Sequence, residues 1–125
     1  MAAEISNVEG GVVTLRVSGR LTQRDLAAAQ AETTRIIATA GKIRLLVLAE
    51  DFAGWEKGGQ WSDFSFQQAH DDDIERMAIV GDEQWRDLTL LFTSQGLRPF
   101  PIEYFAPGRL AEARAWLGAA PGVRT

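Results

Sequence analysis

A run of seven residues near the middle of the chain, residues 43–49, constrains the fold most strongly. Its sequence is Ile-Arg-Leu-Leu-Val-Leu-Ala, and its four consecutive apolar residues leave no polar face for a strand to present to water. Such runs are typical of strands in parallel sheets that helices cover on both faces. We therefore predict that residues 43–49 form the central strand of an α/β domain.

The N-terminal segment has a different pattern, typical of a β-hairpin. Residues 3–8 and 12–19 flank a Glu-Gly-Gly turn, and in the second segment Val13, Leu15 and Val17 alternate with polar residues. Alternation with a period of two indicates a strand with one buried and one solvated face. The hairpin supplies one antiparallel strand at the edge of the predicted sheet.

Helical and strand-like segments alternate through the rest of the chain. Thr22 can cap a helix whose apolar residues recur at helical spacing up to Gly41, a glycine that can end it. Further helices are predicted at residues 60–70, 82–94 and 107–117, and strands at residues 77–80 and 101–105. This order predicts right-handed crossovers and one domain over residues 1–125, with a five-stranded, mostly parallel sheet and four helices.

Composition excludes several classes of site and partner. The 125 residues contain no cysteine, which excludes disulfides, zinc–cysteine sites, iron–sulfur clusters and a cysteine nucleophile. The start of the chain lacks the basic segment and apolar run of a secretory signal, and no apolar stretch approaches the roughly 20 residues of a membrane span. We expect a cytoplasmic protein with no membrane span.

Charge is concentrated in the middle of the chain. Residues 50–87 carry eleven acidic and three basic side chains, a net −8, whereas the remainder carries six acidic and ten basic ones, a net +4. An acidic surface disfavours phosphate backbones, and the basic residues elsewhere form no stripe. Nucleic acid is therefore not an expected partner.

Aromatic residues cluster just after the predicted central strand. Five of the eleven in the chain fall within fifteen residues: Phe52, Trp55, Trp61, Phe64 and Phe66. Ligands of open α/β sheets usually bind at the carboxyl ends of the strands. We predict that residues 52–59, with hinges at Gly54, Gly58 and Gly59, form a loop that closes over an apolar site. The alternative is that these rings complete the core under a long connection.

A helical projection of residues 60–70 divides their side chains between two faces. Trp61 and Phe64 share one face, and Phe66 and His70 share roughly the opposite one. Phe66 and His70 are therefore expected to line a pocket wall or a face through which the protein forms a homodimer. A singly exposed phenylalanine that needs no explanation is the alternative.

His70 is the only histidine and is followed by Asp71, Asp72 and Asp73. A histidine and a carboxylate could form a general base or bind a metal. However, the chain has no further ligands at metal-binding spacing, and it has neither a glycine-rich phosphate loop nor a Gly-x-Ser-x-Gly elbow. We expect no catalytic residue, no metal and no cofactor.

Several short motifs spread over nearly the whole chain resemble the bacterial SpoIIAA-like family. The most specific are a segment near residue 80 and a closing helix, supported by an earlier Asp-Phe-x-Gly-Trp: Asp51-Phe52-x-Gly54-Trp55, Ile74-Glu75-Arg76-x-Ala78-Ile79-Val80-Gly81-Asp82-x-x-Trp85, and Ala111-x-Ala113-Arg114-Ala115-Trp116-Leu117. The resemblance implies a STAS-related α/β fold. That broader group includes anti-sigma-factor antagonists, regulatory domains of transporters and, more distantly, lipid-transfer domains of the CRAL-TRIO type.

One feature of that group has no counterpart in this chain. Anti-sigma-factor antagonists carry a phosphorylatable serine or threonine after the central strand, whereas residues 51–55 contain no hydroxyl and the next one is Ser62. Ser62 lies beside Asp63 in an acidic region, which opposes the added negative charge of a phosphate. The sequence therefore argues against a phosphorylation switch.

Taken together, these patterns favour a small non-enzymatic binding module that holds an apolar small molecule or lipid-like ligand near residues 52–59. Its predicted ligand-binding residues are Phe52, Trp55, Trp61, Phe64, Phe66 and His70. The alternatives are a protein–protein regulatory domain that binds a partner without a ligand, and an enzyme that uses His70.

Overall fold

The computed structural model describes residues 3–9, 11–56, 69–93 and 99–118. Its five strands form one sheet in the order β1-β2-β3-β4-β5. Only β1 is antiparallel to its neighbour. This confirms the predicted mixed sheet with an antiparallel edge strand and the 43–49 run in the central strand. The strands are β1 (Ala3–Glu9), β2 (Val12–Leu21), β3 (Ile43–Trp55), β4 (Ile74–Val80) and β5 (Ile102–Phe105).

Three α-helices lie within the described residues. They are α1 (Gln23–Ala40), α2 (Arg86–Phe92) and α3 (Leu110–Gly118). Short 3-10 segments precede β4, α2 and α3 (Asp71–Asp73, Glu83–Trp85 and Pro107–Arg109). The helix predicted at residues 60–70 lies outside the described residues except for Ala69 and His70, which are helical.

Helix α1 begins and ends at the residues that the sequence indicates. The Thr22 hydroxyl accepts a hydrogen bond from the Asp25 N–H at 3.1 Å, which satisfies a donor of the first turn. At the other end Gly41 adopts a φ of +81° and its N–H donates to the Ile37 carbonyl at 2.8 Å. Glycine favours this left-handed conformation, so the helix stops there.

The sheet is covered on both faces, because α1 and α3 pack on opposite sides. On one face Ile37 of α1 packs with Leu45, Met77 and other buried residues. On the other, Leu46 packs with Leu117 and a second buried residue of α3. Leu45 is 7% exposed and Leu46 is fully buried, so consecutive residues of β3 supply both layers of the core.

Two arginines on the α3 face bind the carboxyl end of that helix. Arg44 Nη1 donates to the Leu117 carbonyl and Arg76 Nη1 to the Trp116 carbonyl, each at 2.8 Å. The Arg76 guanidinium also lies 5.0 Å from the Trp116 ring centroid. Cations at a helix C-terminus satisfy its last carbonyls and its dipole. This contact explains why an arginine interrupts the apolar run of β3.

The central strand is longer than predicted. We expected a loop from Phe52, but β3 continues to Trp55, and its residues Phe52 and Trp55 pair with Gly19 and Leu21 of β2. The pairing register shifts in this region, where Asp51 has a φ of +52°. The irregular pairing keeps Glu50 and Asp51, the acidic residues after which the strand was expected to end, within β3. The prediction that a loop begins at Phe52 is therefore wrong.

Candidate functional site

A cavity of about 150 Å³ lies on the α1 face of the sheet. Among the described residues its lining comes from β2, β3, β4, α1 and α2, and it is apolar apart from Gln30, Thr33, Thr89 and Thr93. Val47 lines it at the middle of the central strand and is only half-buried. A central position in a covered sheet would normally be fully buried, so the exposure of Val47 indicates a gap in the packing beneath α1.

Three aromatic rings, Phe52, Trp55 and Trp85, pack together at the carboxyl end of β3, and we call them the aromatic trio. The ring centroids of Phe52 and Trp55 are 5.0 Å apart, those of Phe52 and Trp85 5.2 Å, and those of Trp55 and Trp85 6.0 Å. All three contacts are edge-to-face, a favourable arrangement for aromatic quadrupoles. Phe52 and Trp55 line the cavity, so two of the three rings form part of its wall.

Gly54 allows the trio to pack closely. Its φ is +101°, which favours glycine, and a Cβ at this position would lie 3.4 Å from Cη2 of Trp85. Gly54 therefore lies within β3 and allows the Trp85 ring to approach the strand closely. The prediction that it is a loop hinge is wrong. Gly58 and Gly59, the other two predicted hinges, lie outside the described residues.

Glu56 connects the end of β3 to the start of α1. Its N–H donates to the Leu21 carbonyl at 2.8 Å, and its carboxylate accepts a hydrogen bond from the Gln23 N–H at 2.7 Å. A carboxylate at a helix N-terminus satisfies a free N–H and the helix dipole. This contact fixes the chain that leaves Trp55, so the described part of the predicted loop is held against the fold.

The structure brings together two of the predicted site residues, Phe52 and Trp55. Trp61, Phe64 and Phe66 lie outside the described residues, and their assignment to the site stays a prediction. Trp85 belongs to the trio but was absent from the predicted set. It closely follows β4, whose last residue pairs with Leu48 of β3. Parallel strands direct the chain that follows them to the same end of the sheet, and this is the signal that could have found Trp85.

His70 lies near the amino ends of the parallel strands, whereas the trio lies at the carboxyl end of β3. It precedes β4, whose first residue pairs with the first residue of β3, whereas Trp55 ends β3. Its Nδ1 is 3.2 Å from Asp73 Oδ2, and its Nε2 is 3.2 Å from Thr34 Oγ1. Within the described ranges, no three histidine or acidic side chains gather closely enough to hold a metal ion.

Tyr104 secures the loop that leads from β4 to α2. Its hydroxyl donates to the Asp82 carbonyl at 2.7 Å. Burial raises the pKa of Tyr104 above its usual value, and the nearby Asp82 and Glu83 carboxylates add to the rise. The phenol therefore stays protonated at neutral pH and keeps the hydrogen that it donates to Asp82.

These features define a small α/β domain with an apolar cavity between its sheet and its first helix. The SpoIIAA-like family model matches residues 12–118, and the chain belongs to this family. The recognition made from the sequence motifs is confirmed. Within the described residues, no helix has the length and apolar character needed to cross a membrane.

The comparison with solved structures supports the same fold. The chain is similar to an uncharacterized protein of the DUF3478 family with a SpoIIAA-like fold from Shewanella loihica PV-4. The two are 18% identical and superpose with a TM-score of 0.70, over 93% of this chain and 92% of the other. No curated protein matches the chain.

Proposed function

We propose that this protein is a non-enzymatic binding module that holds a small apolar molecule in the cavity beneath α1. The observation that carries the proposal is the cavity itself, which reaches Val47 at the centre of the sheet and is walled by Phe52 and Trp55. Ligand sites are usually concave and lined by apolar and aromatic side chains with a few polar groups. The lining of this cavity has that composition.

The volume of the cavity indicates the size of the ligand. It measures about 150 Å³, and apolar cavities of this size in proteins can stay dry and take up a benzene-sized molecule. A single ring or a short alkyl chain therefore suits the described cavity.

The surroundings of His70 favour binding over catalysis. Both ring nitrogens lie within hydrogen-bonding distance of protein side chains, Asp73 and Thr34, and the residue is not part of the described cavity lining. A general base has to reach the proton that it removes from a substrate. His70 lies near the amino ends of the strands and outside the described lining, so it is not placed to remove a proton from a molecule bound beside the trio.

A second candidate function, a protein–protein regulatory domain, is favoured by one observation. Leu88 and Leu91, one turn apart on α2, are 52% and 76% exposed. Apolar side chains at this spacing form a stripe on one helix face, which a partner protein could cover.

Toluene is the probe that tests the proposed function. We expect wild-type protein to bind it saturably, with shifts in the methyl resonances of the cavity residues. Val47→Phe places a ring in the cavity and should abolish these shifts while the protein stays folded, because the added atoms occupy existing space. Val8→Phe is the matched control, since Val8 is 48% exposed on β1 and lies away from the cavity. Absence of toluene binding by the wild type, or full binding by Val47→Phe, would contradict the proposal.

A further inference from the structure

We infer that the cavity selects a small uncharged ligand that bears a hydroxyl group and discriminates against carboxylates. The inference rests on the proposed function and concerns the polar groups of the same cavity. Four polar residues contribute to its described lining, and three of them are threonines: Gln30, Thr33, Thr89 and Thr93.

Two of the three threonine hydroxyls already donate their hydrogens within the protein. Thr33 donates to the Ala29 carbonyl at 2.8 Å, and Thr93 donates to the Thr89 carbonyl at 3.0 Å. A hydroxyl has one hydrogen and two lone pairs. Thr33 and Thr93 therefore act toward a ligand as acceptors.

Six acidic side chains occur within residues 50–56 and 81–87, the segments that carry the trio. Three of them are engaged within the protein: Glu50 pairs with Arg16 at 2.6 Å, Glu83 pairs with Arg86 at 3.5 Å, and Glu56 accepts from the Gln23 N–H. A carboxylate ligand that enters the apolar cavity would therefore lose its hydration without gaining an ion pair from these segments. Inside, it would face threonine acceptors to which it has no hydrogen to donate, and it could accept only from the Gln30 amide.

An uncharged hydroxyl fits this arrangement. It can donate its hydrogen to a threonine oxygen, and its own oxygen can accept from the Gln30 amide, which has both donors and an acceptor. Its ring or short chain would occupy the apolar remainder of the cavity. A small alcohol or a phenol is therefore the chemical class that this lining recognises.

Three probes of similar size test the inference: toluene, phenol and benzoate, each titrated into the full chain at pH 7. We expect toluene and phenol to bind and benzoate to bind at least about tenfold more weakly than phenol, because its charge must be desolvated among acceptors. Thr33→Val should weaken phenol binding by about threefold to tenfold, the usual effect of one hydrogen bond, and change toluene binding much less. Thr39→Val is the matched control, since its hydroxyl bonds the Ile36 carbonyl on the exposed side of α1.

The outcomes separate this inference from the proposed function. If neither toluene nor phenol binds, the proposed function itself fails. If toluene binds but phenol does not, or if benzoate binds as tightly as phenol, the cavity exists and the hydroxyl selectivity is refuted. The same holds if Thr33→Val leaves the ratio of phenol to toluene affinity unchanged. Toluene binding by that variant also shows that it has folded.

Discussion

Trp55→Ala is expected to lower the free energy of unfolding by about 3 kcal/mol, at the lower end of the range for removing a core tryptophan. Trp55 is half-buried in β3, pairs with Leu21 of β2 and contacts both other rings of the trio. Its loss would remove two of the three ring contacts of the trio and open the cavity wall. In a domain of this size the change corresponds to a fall of about 10 °C in melting temperature.

Trp55→Phe provides the control, because it keeps a ring at the same position and should cost about 1 kcal/mol. The measurement is urea unfolding followed by circular dichroism, with thermal melts of the same variants. If Trp55→Ala melted with the wild type, Trp55 would not be packed in the strand, and the mobile loop predicted from sequence would regain support.

Gly81→Ala is the second substitution expected to destabilise the protein strongly, by about 3 kcal/mol. A Cβ on Gly81 would lie 2.7 Å from the Tyr104 hydroxyl and 3.1 Å from Cβ of Ala49. Real Cβ contacts are not this short, so the ring has to move. Its hydrogen bond to the Asp82 carbonyl would be lost with the displacement.

Gly108→Ala is a matched control for this effect. No heavy atom lies within 4 Å of the Cβ position at Gly108, so the substitution should be close to neutral or should stabilise slightly by restricting the unfolded chain. Chemical denaturation of the two variants compares them directly. Equal stability of Gly81→Ala and Gly108→Ala would show that Tyr104 is not packed against residue 81.

The fold was predictable where local pattern and tertiary environment agree. The apolar run of residues 43–49 requires cover on both faces, and the structure places Leu45 and Leu46 in opposite layers of the core. Thr22 and Gly41 bound α1 because capping and left-handed backbone depend on the residues themselves. These constraints operate over a few residues and can therefore be read from sequence.

The extent of β3 was not predictable in this way. The residues Glu50 and Asp51 are unfavourable in strands, and a turn was the natural interpretation. Pairing with the ten-residue strand β2 overrides that preference and carries β3 on to Trp55. A long-range partner made this difference, and no local signal reports it.

The candidate site was only partly predictable for the same reason. The sequence predicts that Phe52 and Trp55 lie together near the carboxyl end of the central strand, and the structure places their rings 5.0 Å apart there. Trp85 joins them from a segment thirty residues further on, because β4 ends beside β3. His70 was assigned to the site by helical periodicity alone. The structure places it near the amino ends of the strands, beside Thr34.

The position of bound toluene tests the central claim most directly. Intermolecular nuclear Overhauser effects can be recorded between toluene protons and assigned methyl groups of the protein. The account predicts contacts to Leu45, Met77 and Ile79, which line the cavity and are at least nine-tenths buried. Contacts confined to the exposed Leu88 and Leu91 of α2 would show surface association instead and would contradict an interior binding site.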